Sequence, residues 1–214
     1  LAVDSDGYLI VADTGNARIQ IISPQGTFVT AWGVYGNGAG QFVRPNAIAV
    51  SADGEYIFVT DSGLHRVQKF SRNGAFIKSW GGYGSSDDGF NVPSGIAADA
   101  AGFLYVADQN NHRIKKYTQA GDFVGWWGSY DAGAQAFWLD PGSQRSGAVS
   151  DADGGFDSPT DVAVDGDGNV FVTDSGNFRV QRFASDQAAA PAAAFSGEIY
   201  IGENLYALSI DDWS

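Results

Sequence analysis

The sequence of 214 residues has no cysteine, no methionine and only two histidines. Without cysteine, the chain can form no disulfide, no thiolate metal site and no Cys-x-x-Cys-His haem attachment. No apolar run approaches the roughly 18 residues of a membrane-spanning helix. The sequence begins at Leu1 and contains no methionine, so we expect a processed or incomplete N-terminus.

Basic residues are also scarce. There are 12 Lys and Arg against 25 Asp and Glu, which gives a formal net charge of −13. Nucleic acid is therefore not an expected partner, because phosphate recognition requires clustered Lys and Arg. Asp accounts for 22 of the 25 acidic residues. We interpret most of them as turn residues, whose short carboxylates accept bonds from nearby backbone N–H groups; calcium binding and adaptation to high salt are the alternatives.

An eight-residue element occurs four times in the chain. It reads DTGNARIQ, DSGLHRVQ, DQNNHRIK and DSGNFRVQ, and the copies begin at Asp13, Asp61, Asp108 and Asp174. In every copy an Arg lies five residues after the Asp, and a β-branched residue follows the Arg. The copies start 48, 47 and 66 residues apart. A period of about 40–50 residues is typical of β-propeller blades.

Each repeat shares further features around this element. A Gly-containing turn between alternating apolar residues precedes it, and a strand that ends in Trp-Gly follows it in the first three copies. Next comes a segment of the form GQFVRP (residues 40–45), DGFNVP (88–93) or GGFDSP (154–159). Period-two alternation with aromatic and β-branched residues predicts four short strands per unit, and no 3.6-residue apolar stripe predicts a helix.

These elements resemble the NHL-repeat family of β-propellers over residues 1 to about 183. The resemblance implies an all-β fold with four recognisable four-stranded blades, at residues 1–33, 42–81, 90–128 and 156–197. Residues 198–214 are expected to form a tail or part of a fifth blade. NHL propellers usually have five or six blades, so we expect an incomplete ring that further sequence completes. An open sheet edge invites pairing, which makes assembly with other chains a further expectation.

The connectivity of a propeller predicts which loops share a face. If the first strand of each blade runs down from the top, the Asp-Arg element and the link after Trp-Gly both lie at the top. The third link, from Trp127 to Phe156, spans 29 residues, against ten for each earlier link. Long loops are often functional. We therefore predict a top-face insertion at residues 129–155 that binds a partner through Phe137, Trp138 and Leu139; packing on the neighbouring blade is the alternative.

The segment DADGGFD supplies carboxylates at Asp151, Asp153 and Asp157. Dense oxygen ligands suit Ca²⁺, so these three residues are the predicted metal ligands, although the fold requires no cofactor. An EF-hand loop would carry Glu at its twelfth position, where this chain has Val162. The alternative is that the segment binds no metal and only supplies the Gly-x-Phe-x-x-Pro signal of the repeat.

The repeated Asp and Arg residues allow two interpretations. They could form a charged ring around the channel mouth, or each Asp could bond the backbone of its turn while each Arg bridges to the adjacent blade. Repetition favours the structural interpretation, because a catalytic site needs unique residues whereas a scaffold element recurs. His65 and His112 share one repeat position, so we expect them to pack or face solvent rather than form a catalytic pair.

Two enzyme classes share the propeller that the resemblance implies. Peptide-amidating lyases use a His-bound zinc, for which two histidines are too few. Lactonase-like propellers use an acidic and Asn metal site in the channel, and Asn46 and Asp161 are only loose counterparts of it. The chain has no Gly-x-Ser-x-Gly elbow and no P-loop.

The sequence therefore predicts a non-enzymatic module that binds a protein, peptide or glycan through its top loops. Its acidic, Asp- and Gly-rich composition predicts an extracellular or periplasmic location. A metal-dependent hydrolase or lyase of the lactonase type is one alternative function. The extracellular sensor domain of a receptor is another.

Overall fold

The structure is a computed structural model. It describes residues 1–128 and 154–184 in full, together with the backbone of two strands at residues 197–201 and 204–208. The regular elements of these residues are β-strands and three single 3-10 turns. None of the described helices is long and apolar enough to cross a membrane.

The strands follow one another in sequence order within successive sheets. Blade 1 contains β1 (Ala2–Val3), β2 (Leu9–Asp13), β3 (Arg18–Ile22) and β4 (Phe28–Trp32). Blade 2 contains β5 (Pro45–Val50), β6 (Tyr56–Asp61), β7 (Arg66–Ser71) and β8 (Phe76–Gly81). Blade 3 contains β9 (Pro93–Ala98), β10 (Phe103–Asp108), β11 (Arg113–Thr118) and β12 (Phe123–Trp127).

The fourth blade has three described strands, β13 (Pro159–Val164), β14 (Val170–Asp174) and β15 (Arg179–Phe183). The strands β16 (Gly197–Ile201) and β17 (Asn204–Leu208) pair with each other in a separate two-stranded sheet. All neighbouring strands in these sheets are antiparallel.

The first strands of successive blades lie side by side: β5 contacts both β1 and β9, and β9 contacts β13. The sheets therefore radiate from a common hub, which is the arrangement of a β-propeller. This confirms the fold predicted from the repeats. Blade 1 begins with the short β1, which corresponds to the end of a first strand, as the repeat alignment predicts.

The hydrophobic core lies between the blades. Trp32, at the end of β4, and Phe42, in the following link, both pack on Phe70 of β7, with ring centroids 5.7 Å apart in each pair. The same three positions meet at the next two interfaces, as Trp80, Phe90 and Tyr117 and then as Trp127, Phe156 and Phe183. Each buried ring removes roughly 150–250 Å² from water. The Trp-Gly and Phe-x-x-Pro motifs thus recur because their aromatic side chains pack each blade against the next.

The glycine after each of these Trp residues is required by two constraints. Gly33, Gly81 and Gly128 have φ angles of 99°, 103° and 126°, a region that other residues rarely adopt. A Cβ at any of them would also lie 2.7 Å from the ring of the buried Phe in the link. The chain must therefore turn without a side chain at the point where the Phe enters the core.

The outer face of blade 1, on the side away from blade 2, is less buried than its counterparts. Ile57 and Val59 of β6 are 1% and 0% exposed, whereas the equivalent Leu9 and Val11 of β2 are only half-buried. Val3 on the same face is 56% exposed. Blade 1 therefore has one described interblade interface, while blades 2 and 3 have two each.

We expect Gly81→Ala to lower the free energy of unfolding by about 2–4 kcal/mol, because it combines a strained φ with overpacking against Phe90. Urea unfolding followed by tryptophan fluorescence measures this loss. Gly15→Ala is the matched control, because Gly15 has an ordinary φ and no atom within 4 Å of an added Cβ. Equal stability of the two variants would contradict this account of the turn.

Candidate functional site

Two kinds of connection meet at one end of blades 1 and 2, which we call the top face. They are the turn between the second and third strands and the link loop from the fourth strand to the next blade (residues 33–44 and 82–92). This placement follows from the antiparallel order of the strands. The top face is where the sequence places the Asp-Arg elements and the long insertion.

The repeated Asp fastens the second strand to the link loop. The carboxylate of Asp61 accepts hydrogen bonds from the backbone N–H groups of Val43 and Arg44, at 3.1 and 2.8 Å. The same bond recurs in the next two blades, from the N–H of Asn91 to Asp108 and from that of Asp157 to Asp174. The sequence predicted bonds from the backbone of the Asp residue's own turn. Asp13 of blade 1 has such a bond, with Asn16, but the bonds of Asp61, Asp108 and Asp174 described above come from elsewhere. The bonded amides lie in the link loop, 17 or 18 residues earlier.

The repeated Arg holds the link loop from its other side. Arg66 donates hydrogen bonds to the carbonyl oxygens of Asn37, Gly38 and Gln41, at 3.1, 3.0 and 2.7 Å. Arg113 binds the corresponding loop through the carbonyls of Ser85, Ser86 and Gly89. These arginines cross-link consecutive blades, and this supports the structural interpretation of the Asp-Arg element.

The pair in blade 3 is completely buried. The Nε of Arg113 lies 2.7 Å from the carboxylate of Asp108, and both side chains are 0% exposed. Burial raises the pKa of Asp108, since desolvation disfavours the charged form, while the Arg113 guanidinium and the Asn111 amide act in the opposite direction. The equivalent Arg18 of blade 1 is 41% exposed and bonds Asp13. The charge pairs thus differ in burial although their sequences match.

Blade 3 also carries Lys115 where the other copies have glutamine. In blade 2 that glutamine, Gln68, donates to the Gln41 carbonyl and accepts from the Gly40 N–H. The ammonium of Lys115 donates to the carbonyl of Gly89 at 2.8 Å and lies 4.3 Å from the ring centroid of Phe90. Burial lowers the pKa of Lys115 to about 7, because the charged ammonium loses hydration.

The two histidines hold the link loop of the following blade. The Nδ1 atoms of His65 and His112 accept hydrogen bonds from the N–H groups of Val92 and Ser158, each at 3.0 Å. Val92 and Ser158 are non-glycine residues with positive φ, of 61° and 51°. We expected the histidines to pack or face solvent, and the hydrogen bonds show that each one packs on a link loop.

Exposed aromatic rings project from this network. Tyr35 and Tyr83, each three residues after the Trp that ends the fourth strand, are 77% exposed, and Phe178 in the turn of the fourth blade is 88% exposed. Tyr83 contacts His65 edge to face, with ring centroids 5.0 Å apart. Sequence reasoning missed these residues, although Gly-x-Tyr follows Trp in three copies. Aromatic side chains are enriched at protein interfaces.

A cavity of about 330 Å³ opens at the hub, where the first strands begin. The pairings of β5 and β13 have a register shift here. The Oγ1 atoms of Thr60 and Thr173 accept hydrogen bonds from the displaced N–H groups of Ala47 and Asp161, at 2.9 and 2.8 Å. Such bulges re-aim side chains and are frequent beside binding sites. The cavity wall includes Asn46, Ser94 and Asp161.

Of the three predicted metal ligands, the structure describes only Asp157. Asn46 and Asp161 line the same cavity, but within the described residues no three His, Cys, Asp or Glu side chains converge on a metal position. Asp157 accepts a hydrogen bond from the Ser158 hydroxyl at 3.0 Å. The other predicted site residues, Asp151, Asp153, Phe137, Trp138 and Leu139, lie outside the described residues. The calcium and insertion predictions therefore stay predictions.

Comparison of the sequence with protein families gives two matches. Residues 90–117 and 156–183 match the NHL repeat, and residues 3–82 match a 6-bladed beta-propeller. No curated protein matches the chain significantly. The matched NHL segments coincide with blades 3 and 4 and contain both of their Asp-Arg elements. The match confirms the resemblance read from the motifs.

Solved structures of several different proteins are similar to this chain. A hydrazine synthase from Kuenenia stuttgartiensis has 16% identity and a TM-score of 0.54, over 86% of this chain and 47% of that one. A streptogramin B lyase has 15% identity and a TM-score of 0.56, over 87% and 54%. A virginiamycin B lyase from Staphylococcus aureus, with quinupristin, has 14% identity and a TM-score of 0.56, over 95% and 60%. The chain spans about half the length of these proteins, and the likeness shows the fold alone.

We expect Arg113→Ala to destabilise the protein by about 3–5 kcal/mol, because it leaves the buried Asp108 without its cation. Arg18→Ala should cost about 1 kcal/mol or less, since that pair is partly exposed to solvent. Denaturant unfolding of both variants checks the difference. Equal losses of stability in the two variants would show that burial of the pair does not determine how much it stabilises the protein.

The lowered pKa of Lys115 predicts a pH dependence. The folded-state pKa of about 7 lies below the ordinary 10.5, so between these values the unfolded state binds more protons and the free energy of unfolding rises with pH. We expect the stability of Lys115→Gln relative to the wild type to be highest below about pH 7 and to fall steadily towards about pH 10. Urea unfolding across this range measures it, with Lys78→Gln, at a 45% exposed lysine, as control. A constant difference between Lys115→Gln and wild type would contradict the shift.

Proposed function

We propose that this chain, an NHL-type β-propeller, is a non-enzymatic binding module whose top face binds a protein or peptide. The observation that carries the proposal is the set of exposed rings on that face, Tyr35, Tyr83 and Phe178. The repeated charged residues below the rings are engaged in bonds within the fold. Among the described residues of the top face, the rings are therefore large apolar groups that are exposed for contact with a partner.

The loops that carry the rings are held in place before any partner arrives. Arg66 and Asp61 fix the first link loop from both sides, and Tyr35 lies within that loop. His65 contacts the ring of Tyr83 and also binds the backbone of Val92. Ordering loops on binding costs free energy, so loops that are already ordered favour affinity.

Charge selects among partners. The chain has a net charge of −13, so a partner with a basic surface would be attracted at long range and bind faster. The predicted insertion at residues 129–155 begins and ends on the same face. We propose that its Phe137 and Trp138 extend the aromatic surface.

Display of a random peptide library against the immobilised protein tests this function. We expect enrichment of basic peptides and at least a tenfold loss of affinity in the double variant Tyr35→Ala/Tyr83→Ala, since aromatic anchors dominate interfaces. Phe28→Ala is the control, because Phe28 is a 56% exposed ring at the opposite end of its strand. Peptides that bind wild type and the double variant equally, or selection of glycans but no peptides on parallel arrays, would overturn the proposal.

A further inference from the structure

A second cavity lies at the bottom of the molecule, between blades 1 and 2, and has a volume of about 440 Å³. Its walls combine apolar side chains, among them Ile10 and Ile21 of blade 1 and Ile57 of blade 2, with polar and charged ones. Asp6 and Arg72 lie at its rim. It is remote from the top face and plays no part in the function proposed above.

The strand register shows which residues occupy this place at the other interfaces. Ile21 pairs with Ile10 across the strands of blade 1, as Lys69 pairs with Phe58 in blade 2 and Lys116 with Tyr105 in blade 3. These three residues therefore hold one position of the repeat. Blades 2 and 3 thus place a lysine where blade 1 places Ile21.

The lysine of blade 2 fills the space between its blade and the next. The Nζ of Lys69 lies 3.5 Å from the ring centroid of Tyr56 and donates a hydrogen bond to the carbonyl of Gln119 in blade 3, at 3.0 Å. In blade 3, the Nζ of Lys116 lies 4.0 Å from the ring centroid of Phe103. The fold thus twice places an ammonium on an aromatic ring between two blades.

Blade 1 keeps the surroundings of this ammonium but supplies no lysine. Tyr8 precedes β2 at the position of Tyr56, and it lines the cavity. Thr30 stands where blade 2 has Lys78, which donates to the carbonyl of Ala120 in blade 3. A shorter Ile and Thr in place of two lysines leave the space that forms the cavity.

The charges around the cavity favour a cation. Arg72 forms ion pairs with both Asp4, at 3.1 Å, and Asp6, so its guanidinium is already engaged by carboxylates. Two carboxylates and one guanidinium leave a net charge of −1. Asp6 holds the repeat position of Asp53, whose charge in blade 2 favours the charged form of Lys69. An anionic ligand would find no free cation among these three side chains.

We propose that this cavity binds a primary alkylammonium group, with the alkyl chain against Ile21 and Ile57 and the ammonium against Tyr8 and Asp6. The ligand repeats the contacts that Lys69 makes within the protein. A free alkylamine and the lysine side chain of another protein present the same chemistry.

Titration with n-butylamine near neutral pH, followed by ¹H–¹⁵N NMR, tests the site. We expect saturable shifts of Tyr8 and Gly54 amides with a Kd of about 1–10 mM, a range suited to so small a ligand. Butan-1-ol has the same length without charge and should bind at least about tenfold more weakly. Absence of saturable shifts, or equal binding of the alcohol, would overturn the proposal.

Two variants locate the binding. Ile21→Lys restores the lysine of the other blades and should abolish binding of butylamine. Tyr8→Leu keeps the apolar wall, removes the ring face and should weaken binding about tenfold; it decides the matter if Ile21→Lys does not fold. Unchanged affinity in the folded variants would refute the site.

A peptide arm separates the two sources of the amine. Acetyl-Gly-Lys-Gly-amide carries the same side chain on a backbone. If the peptide competes with butylamine, the site accepts a partner's lysine; if butylamine alone binds, the cavity is a site for a free amine. Either result supports alkylammonium binding. If both probes still bind the Ile21→Lys variant, the proposal is contradicted.

Discussion

Every blade of this protein depends on its neighbour, because a four-stranded sheet has two apolar faces and no core of its own. The Trp of one blade and the Phe of the following link close each interface on a third aromatic ring of the next blade. The glycine beside the Trp lets the chain turn where the ring enters. These three positions set the spacing and tilt of the sheets, and the placement of all surface loops follows from them.

The polar groups of the top face have a different task. Carboxylates, guanidinium groups and imidazoles each bond the backbone of a link loop, so the loops are fixed without regular secondary structure. Burying these polar groups costs free energy because they lose their hydration. This cost is greatest in blade 3, where Asp108, Arg113 and Lys115 are all buried. The benefit is a rigid surface from which Tyr35 and Tyr83 project, and a rigid surface binds with little loss of entropy.

The repeat period revealed the blades because identical contacts require identical residues in every copy. It could not reveal the partners of those residues. Asp61 bonds amides that lie 17 and 18 residues earlier, a pairing that depends on how the link folds back over the blade. Copies that depart from the repeat were more informative than expected: Lys115 in place of Gln, and Ile21 in place of Lys, mark the positions where the chemistry of one interface differs. The only sequence signal of the exposed Tyr35 and Tyr83 was the recurring Gly-x-Tyr, which does not indicate exposure.

The half-buried outer face of blade 1 has a consequence for how the molecule opens. In proteins built from stacked units, each unit is stabilised mainly by its nearest neighbours. Among the described residues, blade 1 has one such neighbour, so within this part of the chain it should open before blades 2 and 3, which are sandwiched on both sides. Slow hydrogen exchange would then be concentrated in the middle blades, and the amides of Leu9 and Val11 would exchange through partial opening while Ile57, Val106 and their neighbours stay protected.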